Sequence, residues 1–174
     1  LFIIMTVLTC LSILGQFSTY FLGHGRLYGF VDEFYLDEEK NIPTYFSSII
    51  LLTSSFLLMV IYKITKQHAE APEKNWLILS VVFLYLSIDE FSSIHEMLNL
   101  PLREFSGNNG LYYIAWIIPG ALITLALGIY FLKFLMRLPQ QTRKQFIIAG
   151  SVYVGGALGV ELLGGFYAFD YTQD

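Results

Sequence analysis

An all-α bundle of about five membrane-spanning helices is the fold this sequence predicts, and three observations predict it. Of 174 residues, 55% are hydrophobic and 17% aromatic, while only 14% are charged; a soluble domain carries about 25% charged residues. The charges cluster between apolar runs of roughly 20 residues, the length that crosses about 30 Å of hydrocarbon. Those runs must be helices, because open strands would leave backbone N–H and C=O groups unpaired in lipid.

The first span covers residues 1–22, LFIIMTVLTCLSILGQFSTYFL. No basic stretch precedes it, so a first membrane helix is expected in preference to a cleaved signal peptide. The sequence opens inside this apolar run and closes in the polar DYTQD, which leads us to expect a trimmed or internal piece of a longer protein. Cys10, the single cysteine, lies within the run. It permits no intramolecular disulfide and no cysteine metal site, and its plain reading is a small packing residue.

The linker from His24 to Thr44 is long and mixes apolar Leu27, Tyr28, Phe30, Val31, Phe34, Tyr35 and Leu36 with charges. It reads either as a short amphipathic helix along the outer surface or as a solvated loop with a few anchors. The second span, residues 45–64, opens at Asn41-Ile-Pro43-Thr44, where proline suits a first helical turn. The third is Trp76 to Leu98. The fourth, residues 111–136, contains Pro119, where a kink is expected. The fifth, residues 146–169, carries Ser151, Gly155 and Gly159 at four-residue spacing. Such a stripe allows close backbone approach by another helix. The spans show no internal repeat and are expected to form one membrane domain over residues 1–174.

Basic residues orient these spans. Lys63, Lys66 and Lys74 lie in or beside the second connection, and Lys133, Arg137, Arg143 and Lys144 lie in or beside the fourth. The opposite side has Arg26, Lys40 and Arg103 with the acidic Asp32, Glu33, Asp37, Glu38 and Glu39. The positive-inside rule therefore assigns loops 63–75 and 137–145 to the cytoplasm. Tyr62 and Trp76 fit an inner aromatic belt, and Tyr45, Tyr112, Tyr113, Trp116, Tyr167 and Tyr171 an outer one. The net charge of −4 and the absence of a basic patch suited to nucleic acid exclude that partner class.

The third span holds the chemistry. After an apolar start it carries Asp89, Glu90, Ser92, Ser93, His95 and Glu96 without a turn signal. On an unbroken helix Asp89, Ser92, Ser93 and Glu96 share about a third of the circumference, with Glu90 and His95 on its flanks. Asp89 then lies ~20 Å along the helix from Trp76, and Glu161 in span five ~22 Å from Phe146, so Asp89, Glu90 and Glu161 share a depth. Carboxylates there cost about 2.5–3.5 kcal/mol each on insertion scales.

Three readings stay open. In one, Asp89, Glu90, His95, Glu96 and Glu161 bind Mn, Fe or Zn, although the Glu-x-x-His pair of di-iron bundles is absent because Glu90 and His95 are five apart. In another they line a proton or ion path. In the third they pair with Arg103 or Arg26, or with His24, and fix helix register. Ser92 and His95 stand at i, i+3, but no nucleophile elbow accompanies them. His24, His68 and His95 are the only histidines; no catalytic residue is assigned, and whether a metal or cofactor binds stays open.

The runs YLSIDEFSSIHEMLNLPLRE, LYYIAWIIPG and YVGGALGVELLGG resemble those of a family of uncharacterised bacterial membrane proteins, cyanobacterial ones among them. The resemblance covers about Ile42 to Phe166. It rests on Asp89-Glu90-x4-His95-Glu96 and on Glu-Leu-Leu-Gly-Gly at Glu161 to Gly165. It implies a multi-pass protein of a bacterial inner or other energy-transducing membrane, and no reaction. Similar sequences continue into a further acidic helix, so a site sharing that helix would be incomplete here. The reading is a non-catalytic accessory or scaffold subunit of a membrane complex, whose partners are the lipid bilayer and other membrane subunits or a second copy. The alternative is a membrane-embedded enzyme or proton or ion transporter built on the carboxylate–histidine set.

Overall fold

The computed structural model describes residues 1–25, 27–68, 74–97, 116–160 and 162–163, and every regular element among them is helical. The chain divides into two units, Leu1–Ile94 and His95–Asp174.

In the first unit α1 spans Phe2–Leu22 and buries only Leu8, Ser12, Gly15 and Ser18. It stops at Gly23, whose φ of 69° needs a residue without Cβ. There the Ser18 carbonyl accepts the N–H groups of Gly23 and His24. The chain turns back through a 3-10 turn, Leu27–Gly29, in which all three residues have positive φ, and enters α2, Phe30–Phe34. Of the two readings of the linker, a helix is present, five residues long, with Asp32 and Glu33 exposed. It packs on α1. Val31 is buried, and a Cβ on Gly15 would lie 3.5 Å from its Cα. The Leu36 N–H donates to Ser12 Oγ at 3.2 Å.

Asn41 joins this segment to α3, Ile42–His68. Its Oδ1 accepts the Thr44 N–H at 3.1 Å and the Thr44 hydroxyl at 3.0 Å, an N-cap geometry. Its Nδ2 donates back to the Tyr35 carbonyl. One side chain, 4% exposed, therefore starts the longest helix and anchors the preceding turn.

α4, Lys74–Ser92, runs antiparallel to α3. The buried positions of α3 step by four and three: Thr44, Ser48, Leu51, Ser55, Leu58. That is the seven-residue repeat of two helices in left-handed contact. Two serine pairs hold the seam. The Ser48 hydroxyl donates to the Ser87 carbonyl at 2.8 Å, and the Ser87 hydroxyl donates to the Ser48 carbonyl at 2.9 Å. One repeat away, Ser55 donates to the Ser80 carbonyl at 2.7 Å and Ser80 to the Ser55 carbonyl at 2.9 Å. All four side chains are buried. Small hydroxyls let the backbones approach and also satisfy themselves in an apolar seam.

The continuous helix expected over Trp76–Leu98 is interrupted. α4 ends at Ser92, Ser93 takes a left-handed φ of 54°, and a separate short α5 spans Ile94–Met97.

In the second unit α6 spans Ile117–Arg137 and buries Ile117, Phe131 and Phe134. Pro119, where a kink was expected, is the third residue of α6, and residues 111–115 of that expected span lie outside the described residues. In the first turn its missing N–H has no intrahelical partner to lose. α7, Gln140–Val154, begins six residues before the expected fifth span, directly after Pro139. The loop expected over 137–145 thus reduces to Leu138 and Pro139. Beyond Val154 the helix loosens into a π-helical stretch, Gly155–Val160. Its three glycines carry no side chains to crowd the wider turn. Four helices, α1, α3, α4 and α6, are long and apolar enough to cross a membrane. The expected fifth span falls partly on residues 161 and 164–169, outside the described residues.

Candidate functional site

The break at Ser93 divides the polar cluster. Asp89, Glu90 and Ser92 form the last turn of α4 and are half-buried, whereas His95 and Glu96 stand on α5, past the boundary between the units. The polar face expected for Asp89, Ser92, Ser93 and Glu96 assumes an unbroken helix, and the helix here ends at Ser92. No glycine, proline or asparagine marks the break, which is why the sequence concealed it.

Ser93 is one of four non-glycine residues with positive φ among the described residues. A left-handed backbone costs a non-glycine residue about 1–2 kcal/mol. It is 2% exposed, and its Oγ finds no hydrogen-bond partner among the described residues. An unmatched buried hydroxyl adds roughly 1–3 kcal/mol. Asp89 and Glu90 sit at the negative end of the α4 dipole, with no basic residue in that turn. The antiparallel register sets the positive end of α3 beside them, and the rings of Tyr45 and Phe91 meet there with centroids 5.5 Å apart.

In the second unit the His95 ring lies 4.7 Å from that of Trp116, tilted by 51°. The indole covers the first turn of α6. A Cβ on Gly120 would come within 3.0 Å of its Cζ3, so the glycine makes room for the ring. His24 and His68 are exposed, at the ends of α1 and α3.

Among the described residues no three of His, Cys, Asp and Glu come together as metal ligands. Glu161, Arg26 and Arg103 lie outside the described residues. In the packing stripe, Ser151 and Gly155 are exposed, and a Cβ on Gly155, Gly156 or Gly159 would meet no heavy atom within 4 Å among the described residues. The stripe crosses from α- to π-helix at Gly155.

In the linker, burial, then the neighbouring Asp37 carboxylate, push the Tyr35 phenol above its ordinary value. Its hydroxyl donates to Asp37 Oδ2 at 3.5 Å.

The serine pairs of α3 and α4 are the residues sequence reasoning missed. Their signal was present: Ser48 and Ser55 are seven apart in one apolar span, and Ser80 and Ser87 are seven apart in the next.

A family model described as a domain of unknown function (DUF8692) matches residues 1–173. No curated protein and no solved structure matches the chain.

Proposed function

We propose a function from one premise: the chain belongs to the DUF8692 family, a domain of unknown function. Its four long apolar helices fit a membrane protein. On our reading the chain is an accessory or scaffold subunit of a larger membrane complex, with the connections 63–75 and 137–145 on the cytoplasmic side. The observation that supports this reading is the open glycine surface of residues 155–159. Small residues in apolar helices favour close helix contact, and here that contact is not made among the described residues. A helix of another subunit, or of a second copy, is the occupant such a surface fits.

The test is Gly159→Leu in the full-length protein, gently extracted. The variant accumulates and folds as the parent does but loses its co-purifying helix partner or its self-association by size. Retention of the same assembly by the variant would sink the reading.

A second reading has its own support. The α4 break sets a buried Ser93 hydroxyl, with no hydrogen-bond partner among the described residues, within one turn of Asp89 and Glu90. Interrupted membrane helices commonly border ion and proton sites. On this reading Asp89→Asn abolishes proton or cation uptake in reconstituted vesicles, while on the subunit reading it changes only packing.

A further inference from the structure

We propose that the end of the α6–α7 pair binds the phosphate of an anionic phospholipid. The proposal rests on the membrane reading above and adds a ligand to it.

The argument starts from charge. Lys133 and Arg137 lie in the last turns of α6, and Arg143 and Lys144 in the first turns of α7, with only Leu138 and Pro139 between the helices. No aspartate or glutamate occurs anywhere in residues 116–160. The ends of α6 and α7 thus carry four cations and no carboxylate of their own two helices.

The fold gathers them. At the far end of the pair, a Cβ on Gly120 would lie 3.4 Å from Leu158 Cδ2, so the two helices fold back on one another and their joined ends form a single corner. Lys133 and Arg137 are spaced i, i+4 and share a face of α6. Arg143 is half-buried, and its Nη1 donates to the Met136 carbonyl at 3.4 Å. That bond holds the guanidinium over the end of α6 and leaves its other donors available to a phosphate. α7 begins after Pro139 with no side-chain cap, so its first-turn N–H groups are hydrogen-bond donors at the same corner.

The surroundings favour a lipid as the source of that phosphate. α6 is long and apolar enough to cross a membrane, so its last turn lies at headgroup depth. Leu132 and Met136, each next in sequence to one of the α6 cations, are 58% and 61% exposed. A basic corner bordered by exposed apolar side chains suits a headgroup with its acyl chain. The basic residues Lys63 and Lys66 in the other unit provide a comparison: Lys66 lies 6.0 Å over the Tyr62 ring of its own helix.

The experiment uses the full-length protein in phosphatidylcholine nanodiscs, with phosphatidylglycerol titrated in and bound lipid counted by native mass spectrometry. Phosphatidylglycerol binds in preference to phosphatidylcholine. Each basic group removed weakens it about fivefold, from roughly 1 kcal/mol per cation at a membrane surface. Arg137→Gln/Arg143→Gln and, separately, the exposed pair Lys133→Gln/Lys144→Gln each lower the apparent affinity about 25-fold on that scale. Lys63→Gln/Lys66→Gln leaves it within about twofold. Equal binding of the two lipids, or equal losses in all three variants, overturns the proposal. Competition by inorganic phosphate at the same concentration overturns the lipid source. Release of the protein from native membranes by an alkaline carbonate wash overturns the membrane reading itself. Retention with no lipid preference overturns the site alone.

Discussion

The α3–α4 pair and the π-helical stretch after α7 both carry small residues, yet they use them differently. In α3 and α4 every seam serine has a matching serine across the interface, and each hydroxyl donates to the opposite carbonyl. In the second unit, Gly155, Gly156 and Gly159 present equal smallness with nothing packed on them among the described residues. The difference teaches that small residues license a close approach without creating it. What creates it is a partner helix with small residues in the matching register.

That comparison can be broken most sharply at Ser80. Leucine there removes a reciprocal hydrogen-bond pair and forces a large side chain into a site 3% exposed. Ser80→Leu should cost about 2–4 kcal/mol, read from detergent-denaturation midpoints by circular dichroism. A shift below about 0.5 kcal/mol would show that the seam does not hold the unit together. Next is Asn41→Ala, which uncaps α3 and frees the Tyr35 carbonyl. A loss of about 1–2 kcal/mol is expected by the same measurement, and no loss would remove Asn41 as the anchor of the start of α3.

Ser93→Gly tests the end of α4 in the opposite direction. Relief of a left-handed serine should stabilise the protein by about 0.5–1 kcal/mol. Destabilisation would mean that the Ser93 side chain makes a contribution that offsets its strain. Gly159→Leu is the counterpart of Ser80→Leu on the open surface. It should leave the chain's own unfolding within about 0.5 kcal/mol, and a loss as large as that of Ser80→Leu would show the glycine surface to be filled within the chain.

The smallest effect belongs to the linker. The Tyr35 phenol is raised in the folded state by burial and by Asp37, so folding favours its protonated form. That contribution is fully present below the unfolded phenol value of about 10 and is lost as pH rises through the higher folded value. Ultraviolet titration of the parent beside Tyr35→Phe should show one phenol ionising later than the rest. Its absence would separate the linker from the packed region.

Much of this was legible in the sequence. Helix class, the first span to Leu22, the α3 start at Asn41-Ile-Pro43-Thr44 and the basic ends follow from local chemistry: apolar length, caps and charge position act within a turn or two of the residue. Legibility failed where distant residues decide. The heptad serines carried a readable spacing, but it acquires meaning only when the two helices align in antiparallel register. Ser93 has no local signal for leaving the helix, so the end of α4 at Ser92 was not legible in the residues around it. By itself the sequence determined that these segments are apolar helices with acidic and basic ends, because solvation and backbone satisfaction act on each segment alone. Only the tertiary structure decided which small residues meet, where the polar helix stops and which glycines stay open, because those depend on what stands across from each side chain.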